Sequence, residues 1–413
     1  MFNRQSAHSR KMPADRQILQ ALQALSVLLA GWDVAAEDAS VQPAKIGDRL
    51  PYGQQPIDYF GSETADPLSR LNERLGSGEV RLAYEPERGY LRSLLESLQV
   101  PVESQMLVYS KTALNQNLVE PGNPRAIYFN DSVSVGWVPG AASIEVSALD
   151  PHKGAMFYTL PQQDSSTPQL RREERCLACH AAQSSLQVPG WLVRSFLTDA
   201  EGNPKEGYSP VNHALAFRKR FGGWYVTGRY DAEPHLGNLA GLDESETEKA
   251  DDRSAYLTPH SDIVAQLVLH HQAHGLNLLV RAGYEHRLGR RSDAEEQLLR
   301  YLLFADEVWL DGPVEGISKF REWFAKQGPF DERGRSLRQF DLKTRLFKHR
   351  LSYLIYSPVF DGLPPEVRQR LYSRIRSVLE GESLPECEPF PHEERAAIVQ
   401  ILRATKKDWP ENE

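Results

Sequence analysis

Three residues whose types and spacing could do chemistry stand together at Cys176-Leu177-Ala178-Cys179-His180. On a helix, Cys176, Cys179 and His180 occupy positions i, i+3 and i+4 and share one face. Two thiols placed so can each add across a vinyl group of a haem, and the imidazole then lies beneath the iron. Two other chemistries use paired cysteines. A structural zinc site wants four ligands, and the remaining cysteine, Cys387, lies far along the chain in a Pro-rich segment. A thioredoxin-like pair has no need of the His that follows. One covalent haem c accounts for all three residues, with Cys176 and Cys179 as tethers and His180 as the proximal iron ligand.

The sixth iron ligand is not fixed by this pattern. His235, in the loop Glu233-Pro-His-Leu-Gly-Asn238 after an aromatic segment, is one candidate distal ligand, and His271 is another. His213 and Met156 are weaker ones, because Met156 sits in a strand pattern where a core side chain is the default. His260 and His271 are eleven residues apart, so on a helix they share a face with Val264, Leu267 and Leu278. That face is apolar, and a satisfied core His is its plain reading. His270 and His274 have the i, i+4 spacing of two metal ligands, but no carboxylate stands at matching spacing. Arg171, Arg172, Arg175 and Arg194 flank the motif as candidate partners for haem propionates, against the plainer reading of a solvated charged face. Trp191, Trp224 and Tyr225 are candidate haem walls, each as well suited to plain core.

Periodicity sets the elements that must position these groups. Leu68, Leu71 and Leu75, then Leu91, Leu94, Leu95 and Leu98, give a helical pattern from Pro67 to Leu98. The pattern then changes to short β-branched and aromatic runs at Ala126–Asn130, Val133–Val138, Ile144–Val146 and Met156–Leu160, separated by turn residues. These predict an antiparallel sheet. Thr167 suits an N-cap and Pro168 the first helical position, so a short helix from Thr167 is expected to carry the motif. Further strands are expected at Trp191–Leu197 and Trp224–Thr227. Thr258-Pro259 should start one long helix, and Ser292 with Glu295 forms a capping-box signature for the next. Other helical stretches fit 313–327, 341–356, 364–380 and 392–405.

The fold class that follows is α+β, with a β-containing N-terminal haem-bearing half and an all-α C-terminal half. Residues 37–240 form the haem-bearing α+β region, 241–257 an acidic loop and 258–413 the α-helical region. Residues 1–36 have the layout of a signal peptide: Arg4, Arg10, Lys11 and Arg16 precede an apolar stretch from Ala24 to Trp32, and Val34-Ala35-Ala36 offers a cleavage site before Glu37. Export fits the chemistry, since covalent haem attachment in bacteria takes place outside the cytoplasm, and the expected location is the periplasm. Across 413 residues, 40% are apolar and 25% charged, ordinary soluble usage. A net charge of −8 argues against a nucleic-acid surface. No apolar run is long enough for a transmembrane span. No Gly-rich phosphate loop, Ser-His-Asp order or metalloprotease His motif is present.

The five residues Cys176 to His180 match the attachment motif of c-type cytochromes, which the chain resembles over that stretch. The small cytochrome c domain of that family also carries a Met ligand downstream. Here Met1, Met12, Met106 and Met156 all precede the motif, and the flanking strands do not suit that small all-α fold. Gly222-Gly-Trp-Tyr-Val-Thr-Gly228 and Tyr256-Leu-Thr-Pro-His-Ser-Asp262 look like a family of large bacterial monohaem proteins without an assigned reaction. That resemblance runs through most of the chain and implies a fold rather than a reaction. The functional expectation is one-electron transfer or haem redox activity, with an unidentified redox partner protein or small molecule. The alternative is a haem-based gas or redox sensor with an open sixth position, and a third reading is a structural haem with catalysis elsewhere.

Overall fold

Strands β1 (Met106–Val108), β2 (Arg125–Phe129), β3 (Val133–Trp137), β4 (Ser143–Asp150), β5 (Gly154–Pro161) and β6 (Arg171–Arg172) form one antiparallel sheet in sequence order. This computed structural model describes residues 50–61, 63–205, 207–238, 253–290 and 293–410, all within one compact unit. The expected signal peptide, Ser292 and most of the acidic loop lie outside the described residues. Helices α1 (Pro67–Gly76) and α2 (Leu91–Ser97) precede the sheet, so the Pro67–Leu98 pattern is two helices. The motif helix α3 (Leu177–His180) and a two-stranded ladder of β7 (Arg194–Ser195) and β8 (Ser209–Pro210) follow it. The C-terminal half is helical: α4 (Ile263–Arg287), α5 (Ala294–Leu302), α6 (Phe320–Ala325), α7 (Pro358–Asp361), α8 (Pro365–Glu380) and α9 (His392–Thr405). The mixed architecture with strands first and helices second is therefore as expected, and one hydrophobic core runs through both.

Residues directly opposite one another in an antiparallel ladder point to the same face. Ile127, Gly136 and Glu145 form one such row, and Phe129, Ser134, Ser147 and Phe157 form the next. The alternate positions, including Tyr128, Val135, Val146 and Tyr158, project from the other face. That second face meets α1, where Asp66 is buried at the N-cap. Its Oδ1 accepts from Leu68 and Ser69 N–H, and its Oδ2 accepts from the Tyr158 hydroxyl at 2.9 Å. The first face carries Arg125, Glu145 and two serines, an unusual polar row in a buried sheet.

Helix α4 is buried along nearly its whole length, every residue from Ile263 to Glu285 except His274. A helix surrounded on all sides belongs at the centre of a domain. It starts at Ile263 rather than at Thr258-Pro259 because Asp262 caps it, accepting from Val264 and Ala265 N–H. No helix among the described residues is long and apolar enough to cross a membrane.

Five local expectations are corrected. The chain from Thr167 is not helical; it adds β6 to the sheet through Tyr158↔Arg172 and Thr159↔Arg171, then turns through a 3₁₀ segment at Glu174–Cys176 into the single turn of α3. Trp191–Leu197 contributes only Arg194–Ser195, and Trp224–Thr227 only bridges, because the loop bonds that hold it run to several elements. The helix expected over 313–327 is confined to Phe320–Ala325. Residues 341–356 hold no α-helix: Leu342 is left-handed (φ 58°), Phe340 bridges to Phe347, and a 3₁₀ turn occupies Tyr353–Tyr356. There tertiary partners, not i→i−4 bonds, satisfy the backbone.

Candidate functional site

Cys176 sits at the start of α3 in a right-handed helical conformation, so Cys176, Cys179 and His180 occupy one turn. Both thiols are free. Cys179 is exposed, whereas Cys176 is half-buried, and its burial pushes the thiol up to about 12. A redox-exchange cysteine needs the opposite shift, toward thiolate. Among the described residues no group of three His, Cys, Asp or Glu side chains is arranged to hold a metal ion, so no ligand set for zinc gathers here.

His180 is held by a loop that returns to it. Its Nδ1 lies 2.9 Å from the Gly190 carbonyl oxygen, and Gly190 N–H donates back to the His180 carbonyl. A carbonyl only accepts, so Nδ1 carries the ring proton and Nε2 keeps its lone pair. Burial holds the ring down to about 4, against the opposing pull of the Gly190 carbonyl. The imidazole is thus neutral at pH 7. Its ring packs against Phe157 at 4.8 Å between centroids. A neutral imidazole with Nδ1 spent on a backbone carbonyl and Nε2 left over is the usual state of a metal-ligating His.

Cys176 and His180 line a cleft that opens to solvent. One wall is the polar face of the sheet: Arg125, Ile127, Ser134, Gly136, Glu145, Ser147 and Phe157. The others come from Trp191, Trp224 and, on α4, Leu269 and Ala273. Trp191 Nε1 donates to Ser147 Oγ, and Trp224 Nε1 to the Arg194 carbonyl, so both indoles present apolar faces with their polar ends satisfied.

Arg125 was not singled out from sequence. Its Nη2 lies 3.3 Å from Glu145 Oε2, while Glu145 Oε1 accepts from Asn115. Its Nε is buried without a hydrogen-bond partner. Gly136 permits this: a Cβ there would stand 2.6 Å from Arg125 Nε. An orphaned guanidinium donor in the cleft wall suits a carboxylate such as a haem propionate. The flanking arginines are otherwise engaged. Arg172 lies over Tyr59 and donates to its carbonyl, Arg175 pairs with Glu173, and Arg194 lies over Phe196 and Tyr208. Arg171 is exposed. The donor set, the cleft and the orphaned Nε fit a tethered haem.

The structure places the distal candidates elsewhere. His235 packs on Phe221, and its Nδ1 accepts from Gly237 N–H, which puts the ring proton on Nε2. His271 has both nitrogens engaged, Nδ1 with His213 Nδ1 at 2.9 Å and Nε2 with Ser352 Oγ at 2.7 Å, between stacked rings of Tyr301 and Phe304. Met156 pairs with Ala148 and so projects from the face opposite Phe157. None of the four lines the cleft. His270 is buried against Phe221, and His274 lies beside Tyr301. Tyr225 packs against Tyr109 with the two rings tilted, and it does not line the cleft. Cys387 lines a different cavity, with Glu307, Trp309 and Arg345.

Comparison with family models, with curated proteins and with solved structures finds no match.

Proposed function

We propose that this chain is an exported monohaem c-type cytochrome, with Cys176 and Cys179 as thioether tethers and His180 as the proximal iron ligand. The observation that carries the reading is the state of His180: Nδ1 is fixed on the Gly190 carbonyl and Nε2 is left for a metal, one turn from two free thiols, of which Cys176 lines the same cleft as His180. A bound haem supplies a one-electron redox centre. The chain's own residues hold it, with Trp191, Trp224, Phe157 and Leu269 excluding water and Arg125 offering a cationic partner to a carboxylate. Electron transfer, or redox chemistry on a small molecule, is the activity that follows, in the periplasm. The N-terminal sequence supports export, and a mature N-terminus near Glu37 is its test.

A second reading, a gas-binding or sensing haem, is favoured by one observation. Among the described residues lining the cleft, His180 is the single His, and no Met is present. Carbon monoxide separates the two readings, since a ferrous spectrum unmoved by the gas marks electron transfer and a shifted one marks an open position. The central claim is tested by acid–acetone extraction of the full chain matured with haem-attachment machinery. The denatured wild type should keep its haem stain, and Cys176→Ala with Cys179→Ala should lose it. Complete extraction of haem from the wild type would overturn the reading.

A further inference from the structure

We propose that Asn277 and Arg281, on one ridge of α4, are positioning residues that hold the loop Ala181–Trp191 in the one shape that fixes the His180 ring. The inference rests on the reading of His180 as the proximal ligand.

The loop is strained and needs an external hold. Leu186 (φ 62°) and Gln187 (φ 59°) are consecutive non-glycine residues in the left-handed region. Such a pair persists where its surroundings over-determine it. Arg281 supplies one hold. It is 2% exposed, and its Nη1 donates to the Leu186 carbonyl at 3.1 Å while Nε and Nη2 are neutralised by Glu285. A buried ion pair is costly relative to apolar packing, and here one guanidinium arm is spent on the carbonyl of a left-handed residue. Asn277 supplies the second. It is 2% exposed, and its Nδ2 donates to the Trp191 carbonyl at 2.7 Å. Its amide also lies flat against Gly190, where a Cβ would stand 2.1 Å from Oδ1.

Between these holds the loop makes its remaining bonds. The Pro189 carbonyl accepts from Ala155 N–H on β5, and Gly190 exchanges two bonds with His180, one to the backbone and one to Nδ1. Residues 277 and 281 are one turn apart and continue the ridge of Leu269 and Ala273, which line the cleft. The same helix therefore forms a cleft wall and sets the tautomer of the imidazole beside it. Partners outside the first ring of contacts change metal affinity or activity roughly 10–100-fold when removed.

The test uses the full chain labelled with ¹⁵N-histidine, read before and after haem loading. Asn277→Ala and Arg281→Met should each speed solvent exchange of the His180 Nδ1 proton roughly tenfold or more and mix the two neutral tautomers. In the loaded protein they should shift the reduction potential. Gln272→Ala, on the same helix but bonded to the Asn130 carbonyl and Tyr353 hydroxyl, serves as the control. Unchanged His180 signals in folded Asn277→Ala and Arg281→Met overturn the proposal, and so does an equal change in the control. Where these variants do not fold, Asn277→Ser and Arg281→Lys are read instead, together with Gly190→Ala, which presses on the Asn277 amide from the loop side. A chain that takes no covalent haem yet loosens His180 in these variants sinks the haem reading and leaves the positioning role standing.

Discussion

Replacing His349 with leucine should make the protein more stable and remove part of its sensitivity to acid. His349 is 3% exposed, and both of its ring nitrogens are buried without hydrogen-bond partners. Burial, with Lys348 adding to it, holds the ring down to about 4 from an ordinary 6.5. Above pH 6.5 the ring is neutral whether the chain is folded or not. As the pH falls below that, the unfolded chain takes up a proton that the folded chain refuses, so stability is lost progressively until the pH reaches the folded value. Each unit of that gap is worth about 1.4 kcal/mol. At pH 5 the refused proton therefore costs roughly 2 kcal/mol, a sizeable share of a total of about 5–15 kcal/mol. His349→Leu removes that loss, and at pH 7 it also removes two orphaned polar atoms, worth about 1–3 kcal/mol. Urea unfolding of both proteins at pH 7, 6 and 5 measures the difference. The advantage of the variant should widen by roughly 2 kcal/mol over that range. Parallel curves would show that His349 is not a buried neutral base, and the reasoning would fail.

His271→Ala and His235→Ala should both leave the haem spectrum as in the wild type, because neither ring reaches the cleft; a changed spin state in either contradicts their placement. His271→Ala should nevertheless destabilise the fold by about 1–3 kcal/mol in urea, since it strands the buried His213 and removes the imidazole partner of the Ser352 hydroxyl. Asp66→Ala should cost about 2–3 kcal/mol in thermal or urea unfolding, losing a helix cap and the partner of Tyr158 together; a loss below 1 kcal/mol (roughly what the cap alone is worth) argues against the Tyr158 bond. Arg125→Leu should keep covalent haem but lower its reduction potential, because Glu145 then stands unbalanced in the cleft wall. A spectroelectrochemical titration showing a rise would refute that assignment.

The strands were legible because their side chains alternate or run apolar over short lengths between turn residues, and a pleat with period two leaves little choice of register. The helices α8 and α9 were legible for the complementary reason, a 3.6-residue period with a proline at or just before the start. Two expectations failed where tertiary bonding overrode local preference. Thr167-Pro168 reads as a helix start, but the edge of β5 offered Arg171 and Arg172 a ladder instead. Residues 341–356 carry helical spacing, yet Phe340, Phe347 and Tyr353 are drawn into one aromatic cluster that a continuous helix would separate.

The motif turn was the most legible part of the site and the cleft wall the least, for a physical reason. Cys176, Cys179 and His180 are neighbours in sequence, so spacing alone brings them together. Arg125 and Glu145 are neighbours only through the register of β2, β3 and β4. The signal was present: Arg125, Ser134, Glu145 and Ser147 fall at the positions of their strands that share a face, and a sheet buried on both sides has no reason to place four polar residues there unless something meets them. The distal candidates show the opposite limit. A histidine has two nitrogens, and proposing it as a ligand supposes that one is unspent. His271 spends both within the core and His235 spends its Nδ1 on Gly237, whereas His180 spends Nδ1 on Gly190 and nothing on Nε2. Which nitrogen is left over depends on carbonyls and hydroxyls brought from other elements, and that information is absent from residue types and spacing.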